Sequence, residues 1–113
     1  MRTIPIKESL TIEFKSDKKK YSDADLVDEI VGMTNTKGGT LYLGVEDNGE
    51  VTGVHPKHKD AIGVTALIAN STVPSVSVRA EVITEEEKDV LKIEIPVSRT
   101  VVSTSSGKML RRR

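Results

Sequence analysis

Cysteine is absent from this 113-residue chain, and so is tryptophan. The first absence excludes disulfides, thiolate nucleophiles and cysteine-ligated metal together, and it suits a reducing compartment. Aromatic residues are few, two Tyr and one Phe. The core must therefore come from Ile, Val and Leu, and little stacking surface is left for splayed bases. No apolar run approaches the roughly 20 residues a membrane-crossing helix needs. The opening segment MRTIPIKESL also lacks the apolar stretch of a signal peptide. A soluble cytoplasmic protein is the expectation. Missing too are a Ser-His-Asp pattern, a nucleophile elbow, a dinucleotide fingerprint and the Gly-Lys-Ser/Thr that ends a phosphate-binding loop. The length fits a single domain over residues 1–113.

Net charge is zero, yet the charges are unevenly spread. Residues 1–20 hold six basic and three acidic side chains, residues 21–54 one and seven, residues 55–113 ten and seven. A neutral total of this kind can hide a basic face, provided folding brings the two basic ends together. The densest basic points are Lys18-Lys19-Lys20 and Arg111-Arg112-Arg113.

Alternation in SLTIEFK puts Leu10, Ile12 and Phe14 on one strand face and Thr11, Glu13 and Lys15 on the other. Ser22 or Asp23 can cap a helix in which Leu26, Val27, Ile30, Val31 and Thr34 recur at helical spacing, opposite Asp28 and Glu29. It should stop near Gly38-Gly39. TLYLGVED reads as a strand, Asn48-Gly49 as a type I′ turn, and EVTGV as the returning partner. Segment 57–72 has Ile62, Val64, Leu67 and Ile68 at mixed helical spacing and ends at Pro74. VSVRAEV and VLKIEIPV alternate on either side of a charged turn, and SGKMLRRR looks like the start of a further strand. The order predicts an α+β fold, a mixed or mostly antiparallel sheet covered by helices on one face.

A phosphate loop runs from strand through glycines to a helix N-terminus. Here Gly38-Gly39 follow a helix and precede a strand, so they are expected to end the one and admit the other. Glu13-Phe14-Lys15 places a carboxylate and an ammonium on one strand face. With Glu8 and an acid from the hairpin, Asp47 or Glu46, they would form the kind of site in which carboxylates hold Mg²⁺ and lysine steadies phosphate. A same-face ion pair on a solvated sheet explains the triplet equally well. His55 and His58 straddle Pro56 with no third metal ligand in view, and they read as surface residues.

Together these residues resemble the Schlafen-type Alba-like domain, also called the divergent AAA family. The shared pattern is Glu8, Glu13-Phe14-Lys15, Asn35-Thr36, Gly38-Gly39, Gly44-Val45, Asp47, Gly49 and Gly53-Val54, with VSTSSGKMLRRR similar to the last strand. The resemblance implies a β-α-β-β-α-β-β fold and a DNA- or RNA-binding module of bacterial and archaeal transcriptional regulators. In some eukaryotic relatives a three-carboxylate site cleaves structured RNA. The pattern implies a Gly-Ser beyond Arg113, so the chain is expected to be the N-terminal part of a longer protein. Under the binding reading, Lys15, Lys18, Lys19, Lys20, Lys37, Arg111, Arg112 and Arg113 contact phosphates and no cofactor is needed. Under the nuclease alternative, Glu8, Glu13 and Asp47 hold Mg²⁺ or Mn²⁺. A third reading is an oligomerisation or sensing unit, and a homodimer, through this or a downstream domain, is expected under the binding reading as well. ATP binding, suggested by the older family label, finds no lysine loop to support it.

Overall fold

The computed structural model describes residues 2–112. Strand β1 (Ile12–Lys15) leads through α1 (Asp23–Thr34) into β2 (Gly39–Leu43). A 3-10 turn (Pro56–Lys59) and α2 (Ala61–Asn70) follow, then β3 (Thr72–Val73), β4 (Arg79–Glu85), β5 (Lys88–Ile95) and β6 (Ser103–Thr104). Four strands form one sheet in the order β1-β2-β5-β4. β1 and β2 run parallel, which the helical crossover between them makes possible. The other two pairings are antiparallel. This is the expected α+β fold with a mixed, mostly antiparallel sheet. β3 and β6 form a separate ribbon whose strands, two residues each, are too short to show alternation in the sequence.

Register sets the two faces. Leu41 lies opposite Ile93 and Leu43 opposite Leu91, so the four share one side of the sheet. Onto it α1 lays Leu26, Ile30, Val31 and Met33, and α2 lays Val64 and Ile68. The other side carries Phe14, Tyr42 and Val90, covered by Ile4 of the N-terminal segment and by Val45 and Val51. Both faces are therefore closed, and alternation in β1 does not separate dry from wet. Phe14 enters the second core, while Glu13, level with Leu41 on the helix-covered face, is only 8% exposed. Leu10 precedes the strand and stays exposed.

The Ser22 hydroxyl caps α1 by accepting the Asp25 N–H, with Asp23 and Asp25 in the first turn at the positive end of the dipole. At the other end the Gly38 N–H returns to the Met33 carbonyl at 2.7 Å with φ +65°. A Cβ on Gly38 would stand 2.5 Å from the Ile95 carbonyl oxygen, and one on Gly39 2.2 Å from that of Thr11. These glycines let the chain enter the sheet between β1 and β5.

Four expectations change. Asn48-Gly49 does not make a type I′ turn: the Gly49 N–H bonds the Glu46 carbonyl, the Glu46 N–H bonds that of Glu50, and of the central residues only Gly49 has positive φ. That is a type I turn closed by a glycine bulge. The returning strand expected beside it shrinks to the single bridge Val45–Val51. Left-handed geometry at both central residues appears instead between β4 and β5, at Glu86 (φ 52°) and Glu87 (φ 65°). There seven consecutive residue pairs impose the hairpin twist on whatever sits in the turn. Ile62 is 85% exposed, because the buried stripe of α2 runs through Val64 and Ile68. Residues 105–112 form no strand: the chain crosses α1, held by the Arg112 N–H on the Gly32 carbonyl and by the Asn35 side chain on Val102 and Leu110. Among the described residues no helix is long and apolar enough to cross a membrane.

Candidate nucleic-acid interface and carboxylate cluster

β1 presents Glu13 and Lys15 toward α1, and the C-terminal segment delivers Arg112 to the same place. The guanidinium of Arg112 bonds the Glu13 carboxylate, sits 3.4 Å from Glu29 of α1 and donates to the Ser9 carbonyl at 2.8 Å. Lys15 Nζ stands 3.4 Å from Glu13 and 3.9 Å from Glu29, and 5.9 Å from the centre of the Tyr21 ring. Two acids and two bases thus alternate in a half-buried patch. Helical spacing puts Glu29 on the flank of α1 opposite its apolar stripe, and nothing in that position signals that a distant arginine folds back over it.

Glu8 joins from the exposed side. Its carboxylate accepts the Phe14 N–H at 2.9 Å and meets the carboxyl of Glu13. Burial, followed by the Glu13 contact and the negative charges of Glu13 and Asp47, raises its pKa against the Phe14 hydrogen bond. For Glu13 burial also pushes upward, but the hydrogen bonds from Glu8 and Arg112 and the charge of Lys15 outweigh it, and its pKa is lowered. Within the pair, Glu8 is thus shifted up and Glu13 down from the ordinary carboxylate value. Burial raises Glu29 despite Lys15.

Of the three acids expected to hold a metal, Glu8 and Glu13 come together and Asp47 reaches Glu8 by its charge. Glu46 accepts a short hydrogen bond from Thr52 and lies 3.9 Å from Lys18. Among the described residues no three His, Asp or Glu side chains are arranged to hold a metal ion. The Arg112 guanidinium takes the cationic place beside Glu13, so a divalent ion between Glu8 and Glu13 would have to displace it.

The basic residues divide into two groups. Lys18, Lys19, Lys20, Lys37 and Arg111 are exposed, with Lys18 near Glu46 and Lys20 at 3.3 Å from Asp23. Arg112, by contrast, is 15% exposed and engaged with two carboxylates. Arg113 lies outside the described residues. The C-terminal basic segment reaches the Glu-Phe-Lys strand through Arg112, whose charge is spent on Glu13 and Glu29, whereas Lys18 and Lys20 face Glu46 and Asp23.

His58 departs from its expected surface position: it is 2% exposed, with Nδ1 at 2.7 Å from Asp17 Oδ2. Asp17, itself buried, also accepts the N–H groups of His55 and Tyr21 at 2.7 Å each. Its place in a run of polar residues hid this role, since polarity alone does not tell a loop clamp from a solvated side chain.

A βαβ unit continued by an antiparallel hairpin, with a charged Glu-Phe-Lys strand at the sheet edge, defines an Alba-like α+β module. A family model described as Schlafen, AlbA_2 matches residues 8–113, and the chain belongs to that family. Among solved structures it is similar to the DIP2311 protein from Corynebacterium diphtheriae, with TM-score 0.71 and 22% identity over 92% of this chain and 21% of that one. The chain thus spans about a fifth of that relative. It is also similar to the N-terminal domain of an ATP-dependent DNA helicase RecG-related protein from Nitrosomonas europaea, with TM-score 0.66 and 18% identity over 94% of this chain and 80% of that one.

Proposed function

We propose that this domain binds nucleic acid through the phosphate backbone as a module of a transcriptional regulator. The observation that carries the reading is the exposed Lys18-Lys19-Lys20 loop at the end of β1, supported by membership of the Schlafen, AlbA_2 family and by likeness to a domain of a helicase-related protein. Few aromatic groups are available for stacking, so contacts are electrostatic and depend little on base sequence. Lys37 and Arg111 add exposed charge, whereas Lys15 and Arg112 organise the patch from within. The test is binding to duplex DNA and to RNA across a salt series. Removing one phosphate-binding ammonium, as in Lys18→Ala or Lys19→Ala, should lower the log–log salt slope by about 0.9 on duplex DNA. Affinity independent of salt refutes the proposal.

The meeting of the Glu8 and Glu13 carboxyls, with the charge of Asp47 felt at Glu8, favours one second reading, a metal-dependent nuclease in which these acids hold the ion. Mn²⁺-dependent cleavage abolished by chelator and by Glu13→Ala supports it. No cleavage of single-stranded, duplex or folded substrates retires it.

A further inference from the structure

The Lys18–Lys20 loop does not stand alone. Asp17, the residue before it, is 1% exposed and binds the segment around the 3-10 turn in two places, the His55 N–H and the ring of His58, 38 and 41 residues further along. This clamp sets a second lysine segment against the first. Lys20 and Lys57 line one open groove of about 410 Å³ between the N-termini of α1 and α2, with His58 in its wall. Two carboxylates face the same groove and each is engaged: Asp23 pairs with Lys20 at 3.3 Å, and Asp60 caps α2 by accepting the Gly63 N–H at 2.9 Å. Lys59 is drawn off to Asp89 at 3.3 Å. Lys57 is exposed, and among the described residues it has no ion-pair partner.

We propose that the polyanion surface spans both segments, with Lys57 contacting a phosphate next to those held by Lys18–Lys20, and that the buried Asp17–His58 pair is the positioning device that keeps the segments side by side. The proposal rests on the nucleic-acid reading above and extends it to residues that neither the family pattern nor charge runs single out. The contact of His58 Nδ1 with Asp17 Oδ2 at 2.7 Å fixes the orientation of the ring. Lysine ammoniums on two loops held at a fixed spacing lose less freedom on binding a strand than two independent loops do.

The test is fluorescence anisotropy with a labelled duplex and a labelled single-stranded RNA over a salt series, using the intact chain. Lys57→Ala should weaken binding several-fold at low salt and lower the slope by about 0.9 on the duplex. Lys92→Ala, on the Tyr42 side of the sheet, should change neither. His58→Leu should reproduce the slope change of Lys57→Ala, while His58→Asn, whose amide still donates to Asp17, should restore the wild-type slope. A purely structural role for His58 would alter melting and leave the slope intact, which overturns the positioning claim. Should His58→Leu fail to fold, Lys57→Ala decides on its own: wild-type affinity and slope overturn the two-segment surface. A wild-type chain that binds neither polymer overturns the nucleic-acid reading itself, an outcome distinct from failure of this extension.

Discussion

Replacing Arg112 by Ala removes the guanidinium that Glu13 and Glu29 share and the donor on the Ser9 carbonyl. Breaking one side of a buried pair costs about 3–5 kcal/mol. Here the side chains of Arg112 and Glu13 are 15% and 11% exposed, and Lys15 remains 3.4 Å from Glu13. Solvent screening and the surviving lysine reduce the expected loss to about 2 kcal/mol. For a chain of this length that lowers the melting temperature by about 8 °C. The loss must also depend on pH. Glu13 has a lowered pKa in the fold, so its contribution is present above the ordinary carboxylate range and disappears as pH falls through the lowered value. Without Arg112, its hydrogen bond and charge no longer oppose burial, so the Glu13 pKa is lowered less. The deficit of the variant should therefore be largest near neutrality and shrink in acid. Urea unfolding at several pH values, with the Glu13→Gln partner completing a double-mutant cycle, measures both effects. A deficit below about 0.5 kcal/mol, equal at every pH, would refute the argument that this cluster is a half-buried ion-pair network.

Exchanging Glu86-Glu87 for Asn-Gly should raise stability by about 1–2 kcal/mol, because both residues stand at positive φ, where glycine and asparagine are at ease; thermal melting checks it. Gly39→Ala should cost at least about 3 kcal/mol or prevent folding, since the new Cβ meets the Thr11 backbone at 2.2 Å and φ is +128°. The milder Gly107→Ala, with nothing within 4 Å, should fold, its small cost coming from φ +97° alone. Glu85 accepts from Ile4 N–H and from both the hydroxyl and N–H of Thr3, which lower its pKa. The N-terminal cover over Phe14 should therefore be secure above the ordinary carboxylate range and loosen as pH falls through the lowered value. Amide exchange at Ile4 reads this, and Glu85→Gln should weaken the cover at neutral pH.

What can be read directly from the sequence is what depends on neighbours in the chain. The cap at Ser22 and the buried stripe Leu26-Ile30-Val31 follow from spacing and lie where expected, whereas the β4–β5 hairpin is expected in kind but its ladder runs Arg79–Glu85 against Lys88–Ile95, into the residues read as the charged turn. The glycines after α1 are likewise legible, because a left-handed helix end and a close approach to carbonyls leave no room for a side chain. So is the family, whose pattern is carried by those same glycines and the Glu-Phe-Lys strand. Beyond local pairs such as Lys15–Glu13, tertiary structure alone decided which acids meet which bases. Arg112 reaches Glu13 across 99 residues, and Asp17 reaches His58 across 41. No periodicity encodes such pairings, since a charged side chain near its neighbours in sequence looks the same whether it ends in water or against a partner from the far end of the chain. The same holds for the second core: β1 alternates as a half-wet strand would, and only the folded chain, with Ile4, Val45 and Val51 over Phe14 and with Glu29 and Arg112 against Glu13, covers both its faces. Local pattern fixes which backbone conformations are accessible, whereas burial and ion pairing depend on distances that exist only once the chain has closed on itself.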